Sequence, residues 1–262
     1  MTAPRRTPPT IDLNADVGEL PEALADGREE ALFGLVTTAN VACGGHAGDE
    51  VTMAATLALA RRLGVAAGAH PGYPDRAGFG RSSLGMTAEA IEASVLDQVR
   101  ALSAVAARVG CEITHVKPHG ALYNDAARGG AVAAAVARAV ARWKAGAVLV
   151  GLAGSRMLDM ARAHGLRAVA EGFADRCYEP DGTLRARSQP GAMIVDPDLA
   201  AAQAVAIALR HEAVAGDGRK VAVEAATICI HGDSPGAMGI ARRVRAALAA
   251  AGVVVAPLGA RP

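Results

Sequence analysis

Asp12, Asn14 and Asp16 occupy alternate positions in the segment DLNADVGE. In an extended chain a period of two points all three side chains to one face. Two carboxylates on one face can act as bases or as oxygen ligands to a divalent ion. The segment HVKPHGALYN (115–124) then gathers His115, Lys117 and His119, with Tyr123 beyond them. The two histidines have the spacing of a metal pair on a helix, but Pro118 disfavours helix at its own position and at Lys117. Read as a strand, ITHVKP puts His115 and Lys117 on one face and Val116 on the other. Pro118 then ends the ladder, and Gly120 allows a sharp exit into a helix beginning near Ala121. Lys117 is one of only three lysines in a chain that otherwise uses arginine. A crowded lysine serves as a point charge for an oxyanion or, with a lowered pKa, as a base.

Four more segments carry similar residue types. NVACGGHAGD supplies Asn40, His46 and Asp49. GAHPGYPDRAGFGR supplies His70, Tyr73, Asp75, Arg76 and Arg81. EGFADRCYEPDG supplies Glu171, Asp175, Arg176 and Tyr178. HGDSPGA supplies His231 and Asp233. Together these six segments hold five of the seven histidines and five of the seven aromatics. Packing alone would place rare aromatics in the core, so their position in Gly/Pro-rich loops indicates a site. Asp12, Asp16, His46 and His70, with His119 and His231, supply enough oxygen and nitrogen donors for a divalent ion. GGHAGDE, leading into a helix, offers backbone N–H groups to a phosphate. Each residue alone also has a structural reading, as a hydrogen-bonded histidine, an Asx turn or a surface ion pair.

The elements that must position these residues are legible in the pattern. Strands are expected at 10–14, 36–42, 65–70, 113–118, 147–152, 167–173, 192–195 and 226–232, with a last one at 253–256. Most are short continuous apolar runs, as in strands buried on both faces. Ala-rich amphipathic helices are expected at 50–63, 87–109, 130–144, 154–164, 198–214 and 236–251, several followed by a glycine cap. This alternation predicts a parallel (β/α) barrel of TIM-like type, a single domain over 10–262 after a disordered tail at 1–9. GxGxxG is absent after the first strand, which disfavours an open dinucleotide-binding sheet. In the barrel architecture the carboxyl ends of the strands share one face, and every polar segment above falls at such an end.

The formal net charge of +1 gives no footprint for nucleic acid or an anionic membrane. No charge-free apolar stretch of membrane-spanning length and no signal-peptide core is found, so a cytoplasmic protein is expected. Cys43, Cys111, Cys177 and Cys229 are widely spaced and read as reduced thiols.

IDLNADVGE, NVACGGHAGD, GAHPGYPDRAGFGR, HVKPHGALYN, EGFADRCY and HGDSPGA, in this order, resemble the signature segments of the LamB/YcsF family, over about residues 10–256. Ser82 follows Arg81 where the family pattern leads us to expect a second arginine. The resemblance implies a barrel related to the glycoside hydrolase and polysaccharide deacetylase barrels. It implies one component, the A subunit, of a bacterial 5-oxoprolinase that works with subunits B and C. That enzyme converts 5-oxo-L-proline, ATP and water to L-glutamate, ADP and phosphate, with ATP as co-substrate alongside Mg2+. On this reading Asp12, Asp16 or Glu171 is the base, and His70, His119 or His231 moves protons. Lys117, Arg76 and Arg176 hold carboxylate or phosphate. Asn14, Asn40, His46, Tyr73, Tyr123, Asp175 and Asp233 complete the expected substrate site. No Walker A sequence is present, so any nucleotide site here is not of P-loop type. Two alternatives are a stand-alone metal-dependent hydrolase and a non-catalytic ligand-binding subunit.

Overall fold

The computed structural model describes residues 8–232 and 236–258. Along the chain lie β1 (Thr10–Val17), β2 (Thr38–Ala42), β3 (Ala66–His70), β4 (Ile113–Val116), β5 (Val148–Leu152) and β6 (Arg167–Phe173). A short antiparallel ribbon of β7 (Glu212–Val214) and β8 (Lys220–Ala222) precedes β9 (Thr227–Cys229) and β10 (Val254–Val255). β1 to β6 and β9 form a seven-stranded parallel barrel, closed where β9 pairs with β6 on one side and β1 on the other. β10 adds to the first two residues of β1.

The helices between the strands are α1 (Pro21–Ala25), α2 (Arg28–Phe33), α3 (Glu50–Leu63), α4 (Ala88–Val109), α5 (Gly120–Ala127), α6 (Gly130–Trp143), α7 (Arg156–Ala163), α8 (Pro197–Arg210) and α9 (Ala237–Ala250). Local signals place their ends. Asp49 closes a capping box with Thr52 at the start of α3, and the Thr87 hydroxyl accepts from the Ala90 N–H at the start of α4. Leu57, Leu102, Leu149, Ile207 and Ile228 are fully buried between helices and barrel. Burial of each such side chain is worth about 1.5–3 kcal/mol.

The barrel interior is crowded, and one glycine makes room in it. A Cβ on Gly68 of β3 would lie 2.2 Å from the His115 imidazole on β4. Ala15, Ala39, Ala67 and Ala69 lie on the other face of β1 to β3, in the apolar core outside the lumen.

The architecture is the expected (β/α) barrel, but several elements differ from the sequence reading. Residues 192–195 do not form a strand. Only Met193 makes a bridge, to Arg176, and Val195 is exposed. β9 is already bonded on both sides, so no open edge is left for this apolar run. The helix expected over 198–214 ends at Arg210. His211 turns left-handed (φ 54°) and the chain enters β7. The strand at 226–232 shrinks to three residues. Of the expected tail, residues 1–7 lie outside the described residues, while the Pro9 carbonyl accepts from the Val254 N–H at 2.8 Å.

Candidate functional site

Residues of β1 on one face descend into the barrel in layers. Asp12 is deepest. Its carboxylate accepts from the hydroxyls of Thr37, Thr38 and Thr227. Burial raises its pKa, and the three threonine hydrogen bonds oppose that. Asp12 is 2% exposed and does not line the cavity at the carboxyl ends of the strands, so its position is that of a buried anchor between β1, β2 and β9. One layer up, Asn14 donates to Glu171 at 2.9 Å and to Thr227 at 2.7 Å. Asn40 donates to Asn14 at 2.8 Å and to Asp16 at 2.8 Å, and its oxygen meets His115 Nε2 at 2.8 Å. Burial pushes His115 down to about 3, so it is neutral near pH 7.

Asp16, Lys117 and Glu171 form the next layer. Lys117 Nζ lies 2.9 Å from Asp16 Oδ1, 3.0 Å from Glu171 Oε1 and 3.2 Å from Cys229 Sγ. Burial alone would lower the lysine pKa, but the Asp16, Cys229 and Glu171 charges raise it well above the usual lysine value. Lys117 is therefore an ammonium point charge and not a base. Burial alone would raise Asp16, and His70 and Lys117 overcome it, so the carboxyl stays ionised well below its usual range. Tyr123 donates its hydroxyl to Glu171 Oε2 at 2.7 Å. His115 and Lys117 do point to one face and Val116 to the other, into the apolar core. Gly120 makes the turn out of this segment at φ +54°, where a Cβ would lie 2.6 Å from the Gly80 carbonyl.

A second cluster stands beside Asp16. Glu19 follows β1, His46 follows β2, His70 ends β3 and His119 follows β4. Glu19 Oε1 is 2.9 Å from His46 Nε2 and 3.2 Å from His119 Nδ1. His70 Nε2 is 3.2 Å from Asp16 Oδ2 and 3.0 Å from His119 Nδ1. The far nitrogens of two rings are fixed by backbone. His70 Nδ1 donates to the Lys117 carbonyl (2.7 Å) and His119 Nε2 to the Phe79 carbonyl (2.9 Å). Phe79 presents that carbonyl from a left-handed backbone (φ 54°), an uncommon conformation for a bulky residue. Against burial, which would raise it, the neighbouring His119 and His46 rings hold the Glu19 carboxyl well below its usual range. Burial pushes His46 down to about 4.

Asp16, Glu19, His70, Lys117, His119, Tyr123 and His231 border a cavity of about 560 Å³ at the carboxyl ends of the strands. Arg81, Arg128, Arg176 and Arg187 line it as well, giving the cavity a basic wall. Asp175 holds His231 in place, with its Oδ1 2.9 Å from Nδ1 and its Oδ2 accepting from the His231 N–H. Arg176 donates to the carbonyls of Arg185 (2.6 Å) and Ala192 (3.4 Å), so one guanidinium ties down the segment after β6.

Not every expected site residue reaches this cavity. Asn14, Asn40, Asp12 and Asp175 lie beneath or behind it. Tyr73 is buried and donates to Asp125 at 2.9 Å. Arg76 turns away to the carbonyls of Gly44 and Gly48, where with His46 it borders a separate pocket of about 190 Å³. Asp233 lies outside the described residues. Sequence reasoning misses Glu19 and gives Cys229 no place in the site. Glu19 sits at the end of the DLNADVGE segment, so its place after a strand is a usable signal. Among the described residues two groups bring donor atoms within 4.8 Å of one another: Glu19, His46, His70 and His119, and Asp16, Cys229 and His231.

The fold and site define a parallel (β/α)-barrel protein with an acid–base and ammonium-lined cavity at the carboxyl ends of its strands. The LamB/YcsF family matches residues 11–261, and the chain belongs to that family. It is 51% identical to the 5-oxoprolinase A subunit of Chloroflexus aggregans, over 94% of this chain and 98% of that protein. It is 50% identical to that of Methylococcus capsulatus, over 95% of this chain and 96% of the relative. It also superimposes on the crystal structure of a lactam utilization protein from Thermus thermophilus. The TM-score is 0.87 at 46% identity, over 94% of this chain and 99% of that one. Among the described residues no helix is long and apolar enough to cross a membrane.

Proposed function

We propose that this chain is the A subunit of an ATP-dependent 5-oxoprolinase, a cytoplasmic hydrolase that opens the lactam of 5-oxo-L-proline to L-glutamate. The observation that carries the reading is near full-length identity of about half to proteins named as 5-oxoprolinase A subunits. The site chemistry agrees with it. A five-membered lactam is a stable amide, and ATP, with Mg2+, supplies the activation of its carbonyl. Subunits B and C complete the enzyme.

The residues then divide the work. Lys117 places a fixed positive charge where the carbonyl oxygen gains negative charge, from a buried position where such a charge is most effective. Asp16 and Glu171 keep that lysine protonated and aimed. His231, oriented by Asp175, moves a proton to the departing amine with its Nε2. Arg128 and Arg176 on the basic wall hold the substrate carboxylate or a phosphate. Asp12 supports the barrel below the chemistry and touches no substrate.

The test is glutamate release from 5-oxoproline and ATP by this chain with its B and C partners. Activity requires all three chains and falls at least ~100-fold in Asp16→Asn, Lys117→Ala and His231→Ala, each still folded by circular dichroism. Full activity in folded variants overturns the catalytic assignment. Glutamate release without B and C would favour a stand-alone hydrolase instead.

A further inference from the structure

The geometry points to a divalent transition-metal site formed by Glu19 Oε1, His70 Nε2 and His119 Nδ1, with its open side toward the cavity. Three observations carry it. The first is the direction of lone pairs. His70 gives its Nδ1 proton to the Lys117 carbonyl and His119 gives its Nε2 proton to the Phe79 carbonyl. In the neutral rings both remaining nitrogens carry a lone pair, and these face each other 3.0 Å apart. Two lone pairs at that separation repel unless a positive centre sits close to both. Holding the far N–H to a carbonyl is how proteins orient metal-binding imidazoles.

The second is spacing. The donor-to-donor distances are 3.0 Å (His70 to His119), 3.2 Å (Glu19 to His119) and 3.8 Å (Glu19 to His70). Ligands about 2.0–2.1 Å from a tetrahedral ion lie roughly 3.3–3.4 Å from one another. The triangle therefore closes on an ion with small adjustments. The third is the setting. All three side chains are at least nine-tenths buried, yet all three border the 560 Å³ cavity, so a fourth position is reachable by a small molecule. Two imidazoles and a carboxylate select Zn2+ or a similar first-row ion over Mg2+, which takes oxygen ligands.

His46 is a positioning residue for this site. Its Nε2 meets Glu19 Oε1 at 2.9 Å, and its Nδ1 has no hydrogen-bond partner. As a ligand through Nε2 it would need a proton on Nδ1 with nothing to receive it. As a neutral donor to Glu19 it needs none, and its ring stacks on His119 at 3.6 Å.

The inference is independent of the 5-oxoprolinase reading and is tested without turnover. The purified protein is stripped with a chelator and titrated with Co2+ while its visible spectrum is recorded. Zinc is measured by elemental analysis after reconstitution. We expect one equivalent of either ion and a low-coordinate Co2+ spectrum. Glu19→Gln and His119→Asn lose binding with unchanged circular dichroism, while His46→Ala keeps it with affinity about 10–100-fold weaker. His164→Ala, at a surface helix end, binds as wild type. Absence of stoichiometric binding overturns the proposal, as does equal binding by Glu19→Gln and His119→Asn. An intense near-ultraviolet thiolate band would place the ion at Asp16, Cys229 and His231 and also overturn it.

Discussion

Lys117 Nζ sits between two carboxylates that belong to different strands, 2.9 Å from Asp16 Oδ1 on β1 and 3.0 Å from Glu171 Oε1 on β6. One ammonium is thus shared by two acids across the lumen of the barrel. Removing it leaves two buried negative charges without their counter-charge. Lys117→Ala should cost about 3–5 kcal/mol of stability, measured by urea unfolding. The triple variant Asp16→Asn, Lys117→Met, Glu171→Gln should regain much of that stability while remaining inactive. A Lys117→Ala protein as stable as wild type would show that the three charges are solvated and not mutually dependent.

Gly68 and His115 offer a steric test of the interior. A methyl at position 68 would meet the imidazole at 2.2 Å. Gly68→Ala should destabilise by about 1–3 kcal/mol, the usual range for overpacking. Adding His115→Ala should recover part of the loss, since it removes the group that is struck. Additive losses in the double variant count against this packing.

The Asp175–His231 pair makes a pH-dependent contribution. Burial would raise the Asp175 pKa, but the His231 charge and hydrogen bonds outweigh it and lower it in the fold. A depressed folded value means stabilisation that is complete above the unfolded value of about 3.9 and lost as pH falls through the folded one. The stability difference between wild type and Asp175→Asn should be present at about pH 5 and shrink below about pH 4. A difference that grows as pH falls would contradict the sign.

Arg176 fastens the segment after β6 through the carbonyls of Arg185 and Ala192. Lysine cannot reproduce a planar fork across two acceptors. Arg176→Lys should therefore raise hydrogen exchange across residues 179–195 and raise KM for 5-oxoproline by several-fold, with kcat changed less. Unaltered exchange in that segment would free Arg176 from the positioning role.

Much of this protein is set locally. Alternation in DLNADVGE put Asp12, Asn14 and Asp16 on one face of their strand, and alternation in ITHVKP put His115 with Lys117 on one face of theirs, because strand side chains alternate whatever the strand packs against. The capping residues Asp49 and Thr87 fixed helix starts for an equally local reason. Depth and closure are different. Nothing in the sequence distinguishes Asp12, locked under three threonines, from Asp16, which faces the cavity, since that depends on where the strands are staggered in the closed barrel. The apolar run 192–195 looks like a strand, yet β9 bonds β6 and β1 and leaves it no edge. Glu19 and His119 are far apart in sequence and become neighbours at 3.2 Å only when β1 and β4 share a barrel end. Local patterning chose the elements and their faces, and long-range closure chose which polar groups meet.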